Sequence, residues 1–190
     1  MTPVVHHEVR SLRDRIDLIA QRINNSILYP QKRLDGSEYM TYDLARSIVR
    51  GCAQHGKASE IEPIDAIFAY VKNNIEYRQD PVDYDLFMGV GRIINSGAGD
   101  CDEHVVILNA LLSSIGYRTG AKIISQDGNG WHIYSIVGVN PAFNGNPTEI
   151  INLDSAYGDE PGWQPEAKYR KQEYQCTFKA GKTIAWRKIR

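Results

Sequence analysis

Between Val105 and Ile115 the sequence VVILNALLSSI is apolar nearly all the way round a helix. Such a helix has no face to offer water, so it belongs at the centre of a domain with the remaining chain wrapped around it. Its limits are legible as well. Asp100 is a good N-cap and stands three residues before Glu103 in a capping-box arrangement, while Gly116 stops the helix. The spacing predicts a helix over about 101–115. Its opening residue is unusual: GAGDCDE puts Cys101 in the first helical turn, between Asp100 and Asp102.

Other segments supply the wrapping. Val9, Leu12, Ile16, Ile19, Ala20 and Ile23 recur on one face, predicting an amphipathic helix over about 8–24. Leu44, Ala45, Ile48, Val49, Cys52 and Ala53 form a second stripe, closed near Gly56, which assigns Cys52 to the core. A third helix starts at Pro63 and turns Ile64, Ile67, Phe68, Val71 and Ile75 inward. After Gly116 the pattern becomes strand-like at AKIIS (121–125), WHIYSIVGV (131–139), TEIINLDSA (148–156), YQCTF and TIAWRKI. Helices followed by a run of strands predict an α+β domain: N-terminal helices and a central buried helix packed on a C-terminal antiparallel sheet.

The 190 residues, 42% of them hydrophobic, suffice for one core, and one domain is expected. MTPVVHHEVRSLRDR has no apolar signal region, and no apolar run reaches the roughly 18 residues of a membrane span. A soluble, cytoplasmic protein without a membrane partner is expected. The three cysteines, Cys52, Cys101 and Cys176, form neither a C-x-x-C pair nor a disulfide framework, so neither metal nor cofactor is expected. The net charge of −1 hides an asymmetry, because residues 168–190 hold eight basic residues against Glu173 alone. That segment reads as the solvated face of a hairpin or as a surface for an acidic partner. Nucleic acid is not expected.

A thiol at a helix N-terminus gains from the dipole and the free N–H groups there. Asp100, Asp102 and Glu103 oppose its ionisation, so a cationic partner is required. His6, His7 and His55 lie in weakly patterned contexts. His104 is one turn from Cys101, but helical side chains lean back, away from a thiol projecting beyond the helix end. His132 is preferred, since a strand can present it across the helix terminus. Asp154, on the same strand face as Asn152, is the candidate to orient it by accepting the Nδ1 hydrogen, leaving Nε2 to exchange a proton with sulfur. A hydrogen-bonded core histidine and a turn aspartate are the plainer alternatives. Cys176 reads as inward-facing and covered. Cys101 is expected to alkylate first, with a pKa below the ~8.5 of a free thiol.

GDCDEHVVILNALLSSIGYRT followed by WHIYSIV and INLDSA resembles the core of the transglutaminase-like cysteine enzymes, and IFAYVKNNIEYRQDP resembles the segment preceding their nucleophile. YRQDP with GAGDCDE is most similar to versions encoded by tailed phages and prophages. The resemblance implies a papain-like fold and a Cys101, His132, Asp154 triad. It also implies a thiol-dependent amide hydrolase or acyl transferase acting on protein or peptide through a thioester, closest in type to a cysteine protease. Tyr77, Trp131 and Asn152 are the candidates for substrate or oxyanion support. Some relatives bind calcium beside the cysteine, but three acidic residues on one turn cannot supply six to eight oxygens. The expected organisation is a single domain over 1–190, with an N-terminal helical part (1–60), the catalytic core (61–156) and C-terminal basic strands (157–190). A phage structural or assembly protein using the fold as a binding module is the second expectation, in host cytoplasm or on a virion.

Overall fold

The computed structural model describes residues 11–52, 60–81, 86–126, 130–141, 147–179 and 181–190. The start of the first predicted helix, Ala53, Gly56, His6, His7 and His55 lie outside them. Helix α1 (Leu12–Leu28) is capped by Ser11, whose hydroxyl accepts the Asp14 N–H, and buries Ile16, Ile19, Ala20 and Ile23. It runs beyond the expected residue 24 because its inward stripe continues through Ser26, and it stops just before Pro30. Two short strands, β1 (Gln31–Lys32) and β2 (Glu38–Tyr39), pair antiparallel before α2 (Thr41–Val49). Cys52, expected in the core, lies just past α2 and is only half-buried. Helix α3 (Glu62–Asn74), with Pro63 in its first turn, buries Ile64, Ile67, Phe68 and Val71.

Strand β3 (Glu76–Tyr77), helix α4 (Val90–Ser96) and strand β4 (Ala98–Gly99) then lead into α5 (Cys101–Ser114). Eleven residues of α5, from Asp102 to Leu112, are buried, as an all-round apolar helix requires. Truncating one of the fully buried side chains, such as Leu111→Ala, costs about 2–5 kcal/mol. Gly116, at φ +100, turns the chain out of the helix.

The strands β5 (Arg118–Ser125), β6 (His132–Pro141), β7 (Pro147–Leu153), β8 (Gln172–Lys179) and β9 (Lys182–Lys188) form one sheet. Its order is β7-β6-β5-β8-β9, antiparallel throughout. Ala121, Ile123, Ile133, Val137, Leu153 and Cys176 join the α5 side chains in one core. The basic residues Lys182, Arg187, Lys188 and Arg190 stand exposed on or after the edge strand β9. Charged side chains there discourage pairing with another chain's edge. Among the described residues no helix is long and apolar enough to cross a membrane.

Candidate active site

The glycines of GAGDC are explained by backbone geometry. Gly97 closes α4 at φ +63, a left-handed conformation that glycine adopts without strain. Gly99 lies so close to α5 that a Cβ there would sit 2.3 Å from Glu103 Cβ. This allows β4 to run parallel to β3, with Tyr77 opposite Gly99 and the Arg78 N–H donating to the Gly99 carbonyl at 2.9 Å. The capping box then forms: Asp100 Oδ1 accepts the Asp102 N–H (2.8 Å), and Glu103 Oε2 accepts the Asp100 N–H (3.2 Å). Glu103 Oε1 also accepts the Met88 N–H at 3.0 Å. Burial, then the nearby Asp100, pushes the Glu103 carboxyl well above the usual carboxylate range.

The thiol of Cys101 faces Asp102 Oδ1 at 3.8 Å, and Asp102 Oδ2 takes a hydrogen bond from Arg15 Nε at 2.7 Å. Burial, followed by Asp102 and Asp100, raises the Cys101 pKa well above its ordinary value. The Ile133 N–H, aimed at the sulfur, and Arg15 oppose this without reversing it. The expected acidic thiol is therefore corrected: in the resting chain Cys101 is protonated, because desolvation and two carboxylates outweigh the helix terminus. Cys176, fully buried, is likewise pushed up to about 12 by burial.

His132 opens β6, and Cys101, Trp131 and His132 line one cleft of about 20 Å³. Asp154, 1% exposed, follows β7, and its Oδ2 lies 2.7 Å from His132 Nε2. The expected nitrogen roles are thereby reversed. The register sets Leu153 opposite Ser135, so Asp154 reaches His132 diagonally, and the far ring nitrogen makes the contact. Asp154 Oδ1 accepts the Tyr157 N–H at 3.1 Å, so the carboxylate is a turn aspartate and a histidine partner at once. His104 is 3% exposed, with its Nδ1 2.7 Å from Ser155 Oγ, and burial pushes its pKa down to about 4. It is a neutral packing group.

The three support candidates separate. Tyr77 sits beside the cysteine: its hydroxyl accepts a hydrogen bond from that of Tyr157 at 3.1 Å. Burial and that hydrogen bond, joined by Cys101 once it ionises, keep Tyr77 protonated far into alkali. Trp131 is 36% exposed and packs on Tyr174, ring centroids 5.9 Å apart. Asn152 instead holds the following loop, donating to Gln164 Oε1 at 3.4 Å and accepting the Gly162 N–H at its carbonyl. Sequence reasoning missed Arg15 and Tyr157. Tyr157 covers His132 edge-on at 4.9 Å, and DSAYG, an Asx-type turn opening at Asp154, was the available signal. Arg15 lies on a helix whose polar positions carry no such mark.

Two groups bring three ligand-type atoms within 4.8 Å of one another: Asp100 with Cys101 and Asp102, and Asp80 with Asp100 and Glu103. Several of these oxygens already accept backbone N–H groups, including that of Leu86 on Asp80.

The sequence matches the transglutaminase-like superfamily over residues 42–139, a range that holds Cys101 and His132 and ends before Asp154. A sequence search of curated proteins finds no match. Among solved structures, a proposed protease from Parabacteroides distasonis ATCC 8503 superposes on 90% of this chain at a TM-score of 0.54 and 12% identity. At that identity the likeness is one of fold alone. The chain spans 30% of that structure's length.

Proposed function

The chain belongs to the transglutaminase-like superfamily, and from that premise we propose that it is a thiol-dependent amide hydrolase or acyl transferase acting on protein or peptide, with hydrolysis favoured. Cys101 is the nucleophile, His132 the base and Asp154 the orienting acid. The observation that carries the reading is the 2.7 Å contact between His132 Nε2 and buried Asp154 Oδ2, beside a cysteine at a helix N-terminus.

With Nε2–H donated to Asp154, the lone pair of Nδ1 takes the thiol proton as sulfur adds to the amide carbonyl carbon. Asp154 stabilises the imidazolium that forms. The developing oxyanion has two donors to meet. One is the Cys101 N–H, among the helix N-terminal amides that lack an intrahelical partner. The other is the Tyr77 hydroxyl, which keeps its own proton when it accepts from Tyr157. Collapse expels the amine, which receives the Nδ1 proton, and leaves a thioester on Cys101. Water, deprotonated by Nδ1, adds to the thioester carbon, and thiolate departs to recover its proton; an amine attacking instead completes transamidation.

The papain-like arrangement, a single domain over 1–190 and a phage or prophage origin complete the proposal. The first rests on the resemblance of GDCDEHVVILNALLSSIGYRT, WHIYSIV and INLDSA, the second on length and composition, and the third on YRQDP and GAGDCDE. Amine release from a pool of peptide amides, with Cys101→Ala inactive, is the test. Equal release by wild type and Cys101→Ala would overturn it.

A further inference from the structure

Beside His132 the surface opens into a groove of about 740 Å³, walled by Ile124, Trp131, Tyr157, Trp163, Pro165 and Tyr169. Trp131, Tyr157, Trp163 and Tyr169 are 36%, 53%, 37% and 45% exposed, and together they form a concentrated aromatic patch at the surface. A patch of that kind marks a binding surface more often than chance exposure does. Its carboxylate, Glu166, is paired with Lys168 at 3.1 Å, so the groove presents little net charge. The wall is also anchored to the site. Gly158, whose N–H donates to the Asp154 carbonyl, has no Cβ, and one placed there would lie 3.0 Å from the Trp163 ring. Trp163 thus closes directly onto the turn that holds Asp154. Trp131 and His132 line both this groove and the Cys101 cleft, so the two adjoin at these residues.

We propose that this groove is a specificity subsite for an aromatic or large apolar side chain of the peptide whose amide is presented to Cys101. The occupant follows from that adjacency: a chain segment leading from a carbonyl at Cys101 past Trp131 and His132 meets rings without net charge. Flat side chains stack on such walls and bury area that a charged side chain would leave partly desolvated and unpaired.

The proposal rests on the assignment of Cys101 as nucleophile, but its test does not need turnover. In the full chain carrying Cys101→Ala, affinities are measured by calorimetry for capped hexapeptides that differ in having Phe, Ser, Glu or Lys at one scanned position, with a chito-oligosaccharide as a ring-stacking competitor. At one position the Phe peptide should bind about tenfold tighter than its Ser, Glu and Lys counterparts. Adding Trp163→Ala or Tyr169→Ala, both at exposed positions and checked for folding by circular dichroism, should reduce that preference to within about twofold. Equal affinities, a charged preference, tighter sugar binding, or a preference indifferent to both variants would overturn the subsite. Phe-selective binding by a chain whose wild type never acylates Cys101 would leave the subsite standing and overturn the catalytic reading alone.

Discussion

The Tyr157 hydroxyl donates to the Tyr77 hydroxyl across 3.1 Å, joining the turn after Asp154 to the short strand that flanks Cys101. The pair ties the histidine side of the site to the cysteine side. It leaves Tyr77 its own proton, which in the proposed mechanism meets the oxyanion. Tyr77→Phe keeps the ring packing on Tyr157 (5.1 Å) and His104 (6.2 Å) and removes that donor together with the acceptor of the Tyr157 hydroxyl. We expect kcat to fall about 10²-fold with KM little changed, read from initial rates on any accepted peptide amide. A loss confined to KM would assign Tyr77 to ground-state binding.

Asp102 bears, after burial, on the resting state of Cys101, the proposed nucleophile. It stands beside the thiol and raises its pKa, and it binds Arg15, whose charge lowers that pKa without reversing the rise. Asp102→Asn removes the opposing charge and leaves the favourable one. The pH profile of Cys101 alkylation should therefore move toward lower pH, as followed by peptide mapping after timed iodoacetamide pulses. A profile that stays in place would show that burial alone sets the thiol.

Two buried groups give stability opposite pH dependences. His104 has its pKa lowered from 6.5 to about 4, so below pH 6.5 the unfolded chain binds a proton that the folded chain refuses. Its contribution is complete above pH 6.5 and falls by up to roughly 3 kcal/mol as pH drops to 4. Glu103 has its pKa raised from 4.5 to about 10, so its contribution is complete below pH 4.5 and is lost as pH rises toward 10. Denaturant midpoints across pH should show a flatter acid limb in His104→Asn and a flatter alkaline limb in Glu103→Gln than in the wild type. Parallel curves for variant and wild type would contradict either assignment.

Gly99→Ala tests the approach to the nucleophile. The new Cβ meets Glu103 Cβ at 2.3 Å and Cγ at 2.8 Å, and Glu103 is pinned by the Met88 and Asp100 amides. The substitution should cost roughly 1–3 kcal/mol by overpacking, measured as a shift in the denaturant midpoint. Gly36→Ala, with open space but φ +85, separates clash from backbone strain. A cost at Gly99 no larger than at Gly36 would remove the close-approach argument.

What could be read from the sequence was local. The apolar run of α5 and the Asp100 and Glu103 cap announce a buried helix with Cys101 at its mouth, and alternation announces the strands. What could not be read depends on tertiary partners. Helix α4 turns only Val90, Gly91 and Ile93 inward and is held by Ser26, which accepts the Val90 N–H, and Gln31, which accepts that of Gly91. Neither contact leaves a periodicity. The His132 nitrogen that meets Asp154 depends on strand register, and the state of the thiol depends on burial, neither of which a strand pattern or a helix terminus specifies. Cys52 shares the helical stripe of Leu44 and Ile48, but α2 ends before reaching it.

The central claim is that His132 activates Cys101 although the resting thiol is protonated. The most direct measurement is intact-mass and peptide mapping after exposure of wild type and His132→Ala to a peptidyl vinyl sulfone at pH 7. An aromatic side chain in the probe fits the proposed groove. The account predicts one adduct, on Cys101, forming about 10²–10⁴-fold more slowly in His132→Ala, where no base takes the thiol proton. Equal rates in the two proteins, or an adduct on Cys52 ahead of Cys101, would contradict it.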